Sequence, residues 1–380
     1  MRRLALAVAL GALAGCVVPR AERLPSLASP NVTMERDERL LRREAADLDE
    51  RARKSGAVRA EPALEQYLAG VARRLTPRAA LQHLDVRVRV IDTPSLAAFA
   101  VPDGGIYLSV GLLARLETEA QLAVVLAHEI THAVNRHSVV TYRTYKRGAA
   151  MSVSSFPFAL GEAGTLAAVA GYSRDLEAEA DEEGLALVAA AGLDVSQAKR
   201  PFEHLAAWVK EENLKEPFVY ATHPRLQDRI KSYDRLLSGK YAGRKGDGGA
   251  ERYRAATAHL LVAAARLDLA AGRFRAAERS ARAFIDLVPR PADGWAIIGD
   301  IARQSRPKDG EELALGFYRK AVELDDSCAD AQRELGFSLS RKGQRDGARA
   351  ALERYLKLRP AAVDRRWVEG ELKNLTGGNR

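Results

Sequence analysis

His128 and His132 stand four residues apart with Glu129 beside the first of them, inside the apolar run 122–134 of a 380-residue chain. On a helix this spacing separates the two histidines by about 40° around the axis. Both imidazoles therefore project from one face and can grip a single metal ion. Glu129 is turned sideways, placed to accept a proton from an attacking water rather than to ligate. A catalytic zinc site needs a third protein ligand and leaves one position open. The acidic segment 177–183, Glu-Ala-Glu-Ala-Asp-Glu-Glu, supplies candidates. Glu177 and Asp181 are four apart and share a helical face, so one can bind the ion while the other orients a histidine through its second ring nitrogen. Glu182 and Glu183 read as a solvated acidic face.

The elements that must position these groups are legible from periodicity. Residues 36–53 predict a charged helix with Leu40, Leu41 and Leu48 as its sparse apolar face, and Pro62–Leu75 a better amphipathic one. Val86, Val88 and Val90 alternate with Arg87 and Arg89, the period-two pattern of a half-buried strand. Segments 99–101 and 106–108 flank Asp103-Gly104-Gly105, which suits a tight hairpin whose second strand, 106–110, is expected to be an edge where an extended substrate pairs. The motif helix is expected over 120–137. A second helix is expected over 173–191, ending at Gly192. The nearly uncharged stretch 149–172 predicts a loop and helix covering the site. The Gly-rich stretch 239–250 predicts a linker and a domain boundary.

At this point a resemblance becomes specific. Residues 172–184, Tyr-Ser-Arg-Asp-Leu-Glu-Ala-Glu-Ala-Asp-Glu-Glu-Gly, look like the second signature of the zinc peptidase family that contains HtpX, the CAAX prenyl endopeptidases and the BepA-like members. Segment 99–105, Gly111-Leu112-Leu113 and Arg136-His137 match it too, whereas Ala97 replaces the family's usual Asn before the strand. Metzincins are excluded, because Asn135 stands where they need Gly and Ser138 where they need a third His. The resemblance implies Glu177, rather than Glu179, as third zinc ligand and Asp181 as the residue behind a ligand. It also implies that His223, in Thr222-His223-Pro224, approaches the zinc, and that Arg229 stabilises charge nearby. Read from its own position alone, His223 before Pro224 is equally a helix-start residue.

The last third resembles tetratricopeptide repeats, whose units of about 34 residues cannot bury their faces alone. Gly272, Phe274, Ala277, Ala281, Phe284 and Pro289 occupy the small and aromatic positions of one unit. Trp295, Gly299, Ala314, Tyr318 and Ala321 fit a second unit, and Gly336, Gly343, Ala348, Tyr355 and Pro360 a third. BepA-like members also carry such repeats.

The N-terminus reads as an export signal: Arg2 and Arg3 precede an apolar run too short to span a bilayer. It ends in Leu13-Ala14-Gly15-Cys16, which resembles a lipobox, with Cys16 as the lipidated residue. Two or more acyl chains anchor stably, and Val17 after the cysteine favours the outer membrane. The net charge of +9 lies mostly in the last third, without the aromatic-interleaved basic patch that holds nucleic acid. Cys328 reads as a buried small residue.

The expected protein is α+β and mostly α. It has a lipoprotein signal (1–15), a tether and charged helix (16–55), a gluzincin-type peptidase domain with a small sheet (56–238), a linker (239–250), a tetratricopeptide solenoid (251–362) and a tail (363–380). The expected function is a zinc endopeptidase, one Zn2+ per chain, facing the periplasm from the outer membrane. Its expected substrates are misfolded or stalled envelope proteins, and its repeats are expected to meet outer-membrane assembly machinery. The alternative is a repeat-based assembly chaperone with a mostly latent peptidase domain.

Overall fold

The computed structural model describes residues 23–147, 172–211, 226–306 and 308–377. The signal with Cys16, the covering segment up to residue 171, and His223 lie outside the described residues.

The motif helix is the axis around which the first half is built. Thr118 caps it by accepting from the Gln121 amide, and the Gln121 side chain accepts in return from the Glu117 amide, so two N-terminal donors are satisfied without solvent. Starting there, α4 (Glu119–Val134) is buried along nearly its whole length. A helix that is apolar all round needs neighbours on every side. They are α2 (Pro62–Leu75), the sheet, α6 (Arg174–Ala190) and α7 (Arg200–Glu211). Leu68, Val88, Leu108, Leu122, Leu126, Val188 and Tyr233 share its core. Tyr233 comes from α8 (Leu226–Ser238).

The expected helix 120–137 does not run through. It stops at Val134, and a new helix, α5 (His137–Arg147), starts after Arg136 at φ 60°. A non-glycine residue rarely adopts this left-handed conformation. Arg136 is held in it by a buried ion pair with Glu38 and by hydrogen bonds to the carbonyls of Pro25 and Thr33. The charged helix α1 (Arg36–Lys54) is therefore docked against the end of α4. The residues before it strap the end of α4, with the Leu27 amide donating to the Val134 carbonyl.

The sheet runs β1 (Arg87–Ile91), β3 (Gly105–Ser109), β2 (Ala98–Ala100) in space. Val88 pairs with Ile106 in the parallel ladder and Phe99 with Tyr107 in the antiparallel one. The hairpin turns at Gly104, φ 103°, as its sequence predicts. The expectation that 106–110 forms an edge is overturned. The β1-to-β3 connection carries β2 to the outside, so β3 is paired on both sides and fully buried. The doubt raised by Ala97 is also resolved, because its amide donates to Ser109 Oγ and its carbonyl accepts from the Ser109 amide. The same hydroxyl caps α3 (Val110–Leu113).

The Gly-rich stretch 239–250 is pinned down, not loose: Tyr241 is buried, and Asp247 bridges to Leu193. Beyond it, α9 (Ala250–Thr257) and α10 (His259–Ala270) place Tyr253, Leu260 and Ala264 in the core of the first half. The chain continues through α11 (Phe274–Leu287), α12 (Ala292–Ser305), α13 (Gly310–Leu324), α14 (Ala329–Arg341), α15 (Arg345–Leu358) and α16 (Arg365–Gly377). These pack as successive pairs, α10 with α11, α12 with α13 and α14 with α15. At Gly299 and Gly336 a Cβ would strike the Tyr318 ring and the Leu352 side chain, so glycine sets the closeness of two of the pairs. Cys328 is buried, as expected.

Candidate metal centre

On α4, His128 and His132 are one helical turn apart, and their Nε2 atoms lie 3.0 Å from each other. The α6 helix crosses them closely because Gly184 lies against the α4 backbone at Ala127 and His128, where even a Cβ would be tight. This contact delivers Glu177. Its carboxylate oxygens stand 3.6 Å from His128 Nε2 and 3.4 Å from His132 Nε2. Ligands about 2.0 Å from a tetrahedral centre are separated by about 3.3 Å. The three side chains thus present the face of a ligand tetrahedron and could hold one metal ion. The donor set fits in charge as well as shape. Glu129, Glu177 and Asp181 are buried here with Arg229, so carboxylates outnumber the guanidinium and a divalent cation would balance them.

Asp181, one turn beyond Glu177 on α6, sits behind His128. Its Oδ1 is 3.0 Å from His128 Nδ1 and accepts from Arg229 Nη2 at 2.6 Å and from the Tyr233 hydroxyl at 2.8 Å. Arg229 Nη2 also lies 2.8 Å from His128 Nδ1. A guanidinium only donates, so with the ring proton on Nδ1 and shared with Asp181, the arginine serves the carboxylate and His128 turns its Nε2 lone pair toward the metal position. Burial raises the Asp181 carboxyl, but the Arg229 charge and the His128 and Arg229 hydrogen bonds outweigh it and bring its pKa down to about 2. Burial likewise opposes the charge on Arg229, while Asp181 and Glu177 raise its pKa. Arg229 Nη1 stands 3.6 Å from Glu177, and its guanidinium lies over the Phe202 ring. The structure therefore places Arg229 among the ligand-bearing carboxylates.

His132 is flanked by residues whose part the sequence does not announce. Its Nδ1 is 2.8 Å from His137 Nδ1, and the Tyr172 ring stacks on it with centroids 3.8 Å apart and planes 14° from parallel. The Tyr172 hydroxyl meets Ser138 Oγ at 2.9 Å. Burial lowers the His137 pKa to about 2, with His132 and His128 adding to the effect. Among the residues lining the site without an expected role, Tyr233 carried a sequence signal: it follows Arg229 by four residues on one helix face.

The residues expected from sequence thus converge where described. His128, Glu129 and His132 on α4, Glu177 and Asp181 on α6, and Arg229 on α8 come together, and Glu179 points instead toward Asn135 and Arg23. Residues 62–236 match peptidase family M48. The chain is 30% identical over 179 residues to the mitochondrial metalloendopeptidase OMA1 of Schizosaccharomyces pombe, which covers 45% of this chain and 52% of that relative. It is 30% identical over 186 residues to a putative beta-barrel assembly-enhancing protease of Vibrio cholerae (45% and 38%) and 25% identical to the beta-barrel assembly-enhancing protease of Escherichia coli (45% and 38%). The chain spans about half, or less, of the length of these curated relatives. The matched residues 62–236 carry both the metal motif on α4 and the acidic signature on α6, so the similarity to peptidase family M48 runs across the elements that bring His128, His132 and Glu177 together.

Proposed function

We propose that this chain is a zinc-dependent endopeptidase of the bacterial cell envelope that removes misfolded or stalled outer-membrane proteins. The observation that carries this reading is the convergence of His128, His132 and Glu177 within 4.8 Å of one another, with Glu129 on the same helix. Two imidazoles and a carboxylate with one position left open are a donor set that zinc takes in hydrolytic sites. When bound there, zinc supplies Lewis acidity, which polarises a peptide carbonyl and makes water acidic enough to attack near neutral pH. Glu129 takes the proton of the attacking water and returns it to the leaving amine. His128 and His132 are aimed from behind, their Nδ1 sides facing Asp181 and His137. Arg229 balances the charge of Asp181 and Glu177.

The substrate is read as an extended chain pairing with β2. In the antiparallel ladder Phe99 faces Tyr107, which leaves the backbone groups of Ala98 and Ala100 on the outer side of the sheet, next to α4. Backbone pairing fixes register and asks little of side chains, which suits unfolded substrates. His223 is read as approaching the zinc from the segment before α8. The helix pairs from α10 to α15 are read as tetratricopeptide units that meet substrates or outer-membrane assembly machinery, and Cys16 as the lipidated anchor. Among the described residues no helix is long and apolar enough to cross a membrane. The names of the bacterial relatives favour a second reading, a repeat-based assembly factor whose peptidase is mostly latent.

Purified protein is expected to carry one zinc per chain and to cleave an unfolded β-barrel protein in a chelator-sensitive way. Glu129→Gln is expected to keep the zinc and lose about 10²-fold or more in cleavage rate, as for removal of a general base. Absence of metal, or cleavage unaffected by chelator, would refute the peptidase reading. Retention of the cellular role by the Gln variant would favour the assembly factor.

A further inference from the structure

His137 is buried, five residues after His132, and in an uninterrupted helix the two side chains would point about 140° apart. They meet because the left-handed Arg136 ends α4 and swings the first residue of α5 back toward the metal cluster. The two Nδ1 atoms, 2.8 Å apart, share one proton, since two lone pairs at that distance would repel and two protons would clash.

Where that proton sits decides what His132 can do. If it belongs to His137, a neutral His132 carries its own proton on Nε2 and presents no lone pair to the cluster. If it belongs to His132, the Nε2 lone pair faces His128 and Glu177. Glu179 distinguishes the two. Its carboxylate oxygen stands 3.8 Å from His137 Nε2, too long for a hydrogen bond but close enough to favour an N–H there over a lone pair. A proton on His137 Nε2 leaves His137 Nδ1 as acceptor and hands the shared proton to His132. Glu179 is itself held, by Arg23 at 2.6 Å and Asn135 at 3.0 Å.

We propose that His137 is a positioning residue that, backed by Glu179, fixes His132 in the Nδ1-protonated form with Nε2 turned to the metal. It does for His132 what Asp181 does for His128. Tyr172 completes the hold by covering the ring face, its own ring fixed through Ser138. Each metal-facing histidine is thus oriented from behind by a carboxylate, directly on one side and through an imidazole on the other. The inference rests on the metal-site reading above.

The test compares zinc affinity, by competition with a chromophoric chelator, and the visible spectrum of the cobalt-loaded protein across the parent, His137→Leu and His137→Asn. The Leu variant is expected to lose about 10- to 100-fold in affinity, the usual cost of removing a group that orients a ligand, and to show an altered cobalt spectrum. The Asn variant, whose side-chain oxygen can accept where His137 Nδ1 does, is expected to recover most of both. Parental affinity and spectrum in the Leu variant would overturn the proposal. Because that variant can fail to fold, the second measurement uses the parent alone: nitrogen NMR of histidine-labelled, metal-free protein is expected to place the His132 proton on Nδ1, and a proton on Nε2 would overturn the proposal. A parent that takes up no zinc refutes the metal-site reading instead, and the NMR result still decides the role of His137.

Discussion

Oδ1 of Asp181 gathers a histidine, a guanidinium and a phenol, and this crowding makes the residue consequential for stability as well as for aiming His128. With its pKa depressed from 3.8 to about 2, the ionised carboxylate stabilises the fold fully above about pH 4. That contribution, about 2 kcal/mol for a depression of this size, is lost as pH falls through about 2. Asp181→Asn leaves Arg229 buried against Glu177 alone and is expected to cost about 3 kcal/mol near neutral pH. Urea unfolding in the presence of chelator at stepped pH is expected to show the gap between parent and variant narrowing from pH 4 toward 2. A gap independent of pH would mean that the carboxylate is not what Arg229 depends on. Sequence spacing placed Asp181 beside Glu177, whereas it left His137 and Tyr172 without roles, because their contacts with His132 depend on a backbone turn and on the start of another helix.

The contact between α4 and α6 sets the spacing of His128, His132 and Glu177, and Gly184 sets the contact. A Cβ at that position would meet the Ala127 carbonyl carbon and the His128 amide nitrogen at 3.1 Å, backbone atoms of a helix confined on all sides. Gly184→Val is therefore expected to push α6 outward, destabilise by about 1–3 kcal/mol through overpacking, and separate Glu177 from the histidines. Zinc affinity is expected to fall by roughly tenfold or more, as when ligand orientation is disturbed; calorimetric titration checks this. Unchanged affinity would show that Glu177 does not need this closeness. At this scale much was legible in the sequence: α2 spans the expected Pro62–Leu75, and Gly192, at φ 74°, follows α6 as expected. The break at Arg136 was not, because the left-handed turn is stabilised by Glu38, 98 residues earlier. Nor was the central place of β3, since alternation marks a strand but says nothing about which strands flank it.

Glycine content made 239–250 look like a linker at a domain boundary, yet the packing runs straight across it. Arg252 pairs with Glu119 in the first turn of α4, where Tyr67 and Arg74 also reach the same carboxylate, and the Tyr253 hydroxyl donates to the Leu113 carbonyl at 2.6 Å. Glycine there reflects close approach as well as freedom: a Cβ on Gly246 would lie 2.3 Å from the Leu193 carbonyl oxygen. The first half therefore owns α9 and one face of α10, and the successive helix pairs begin on the other face, where Ala265 and Leu269 pack with Ala277 and Ala281 of α11. A chain ended after residue 249 would expose the pocket of Tyr253 and Leu260, each worth about 1.5–3 kcal/mol when fully buried, and would leave Glu119 without Arg252. Such a chain is expected to be largely insoluble or to unfold at markedly lower urea. A chain ended after residue 272 retains those contacts and is expected to remain soluble, unfold cooperatively and keep parental zinc affinity. Equal stability of the two truncations would mean that α9 and α10 merely rest on the first half and that the boundary does lie in the glycine-rich stretch.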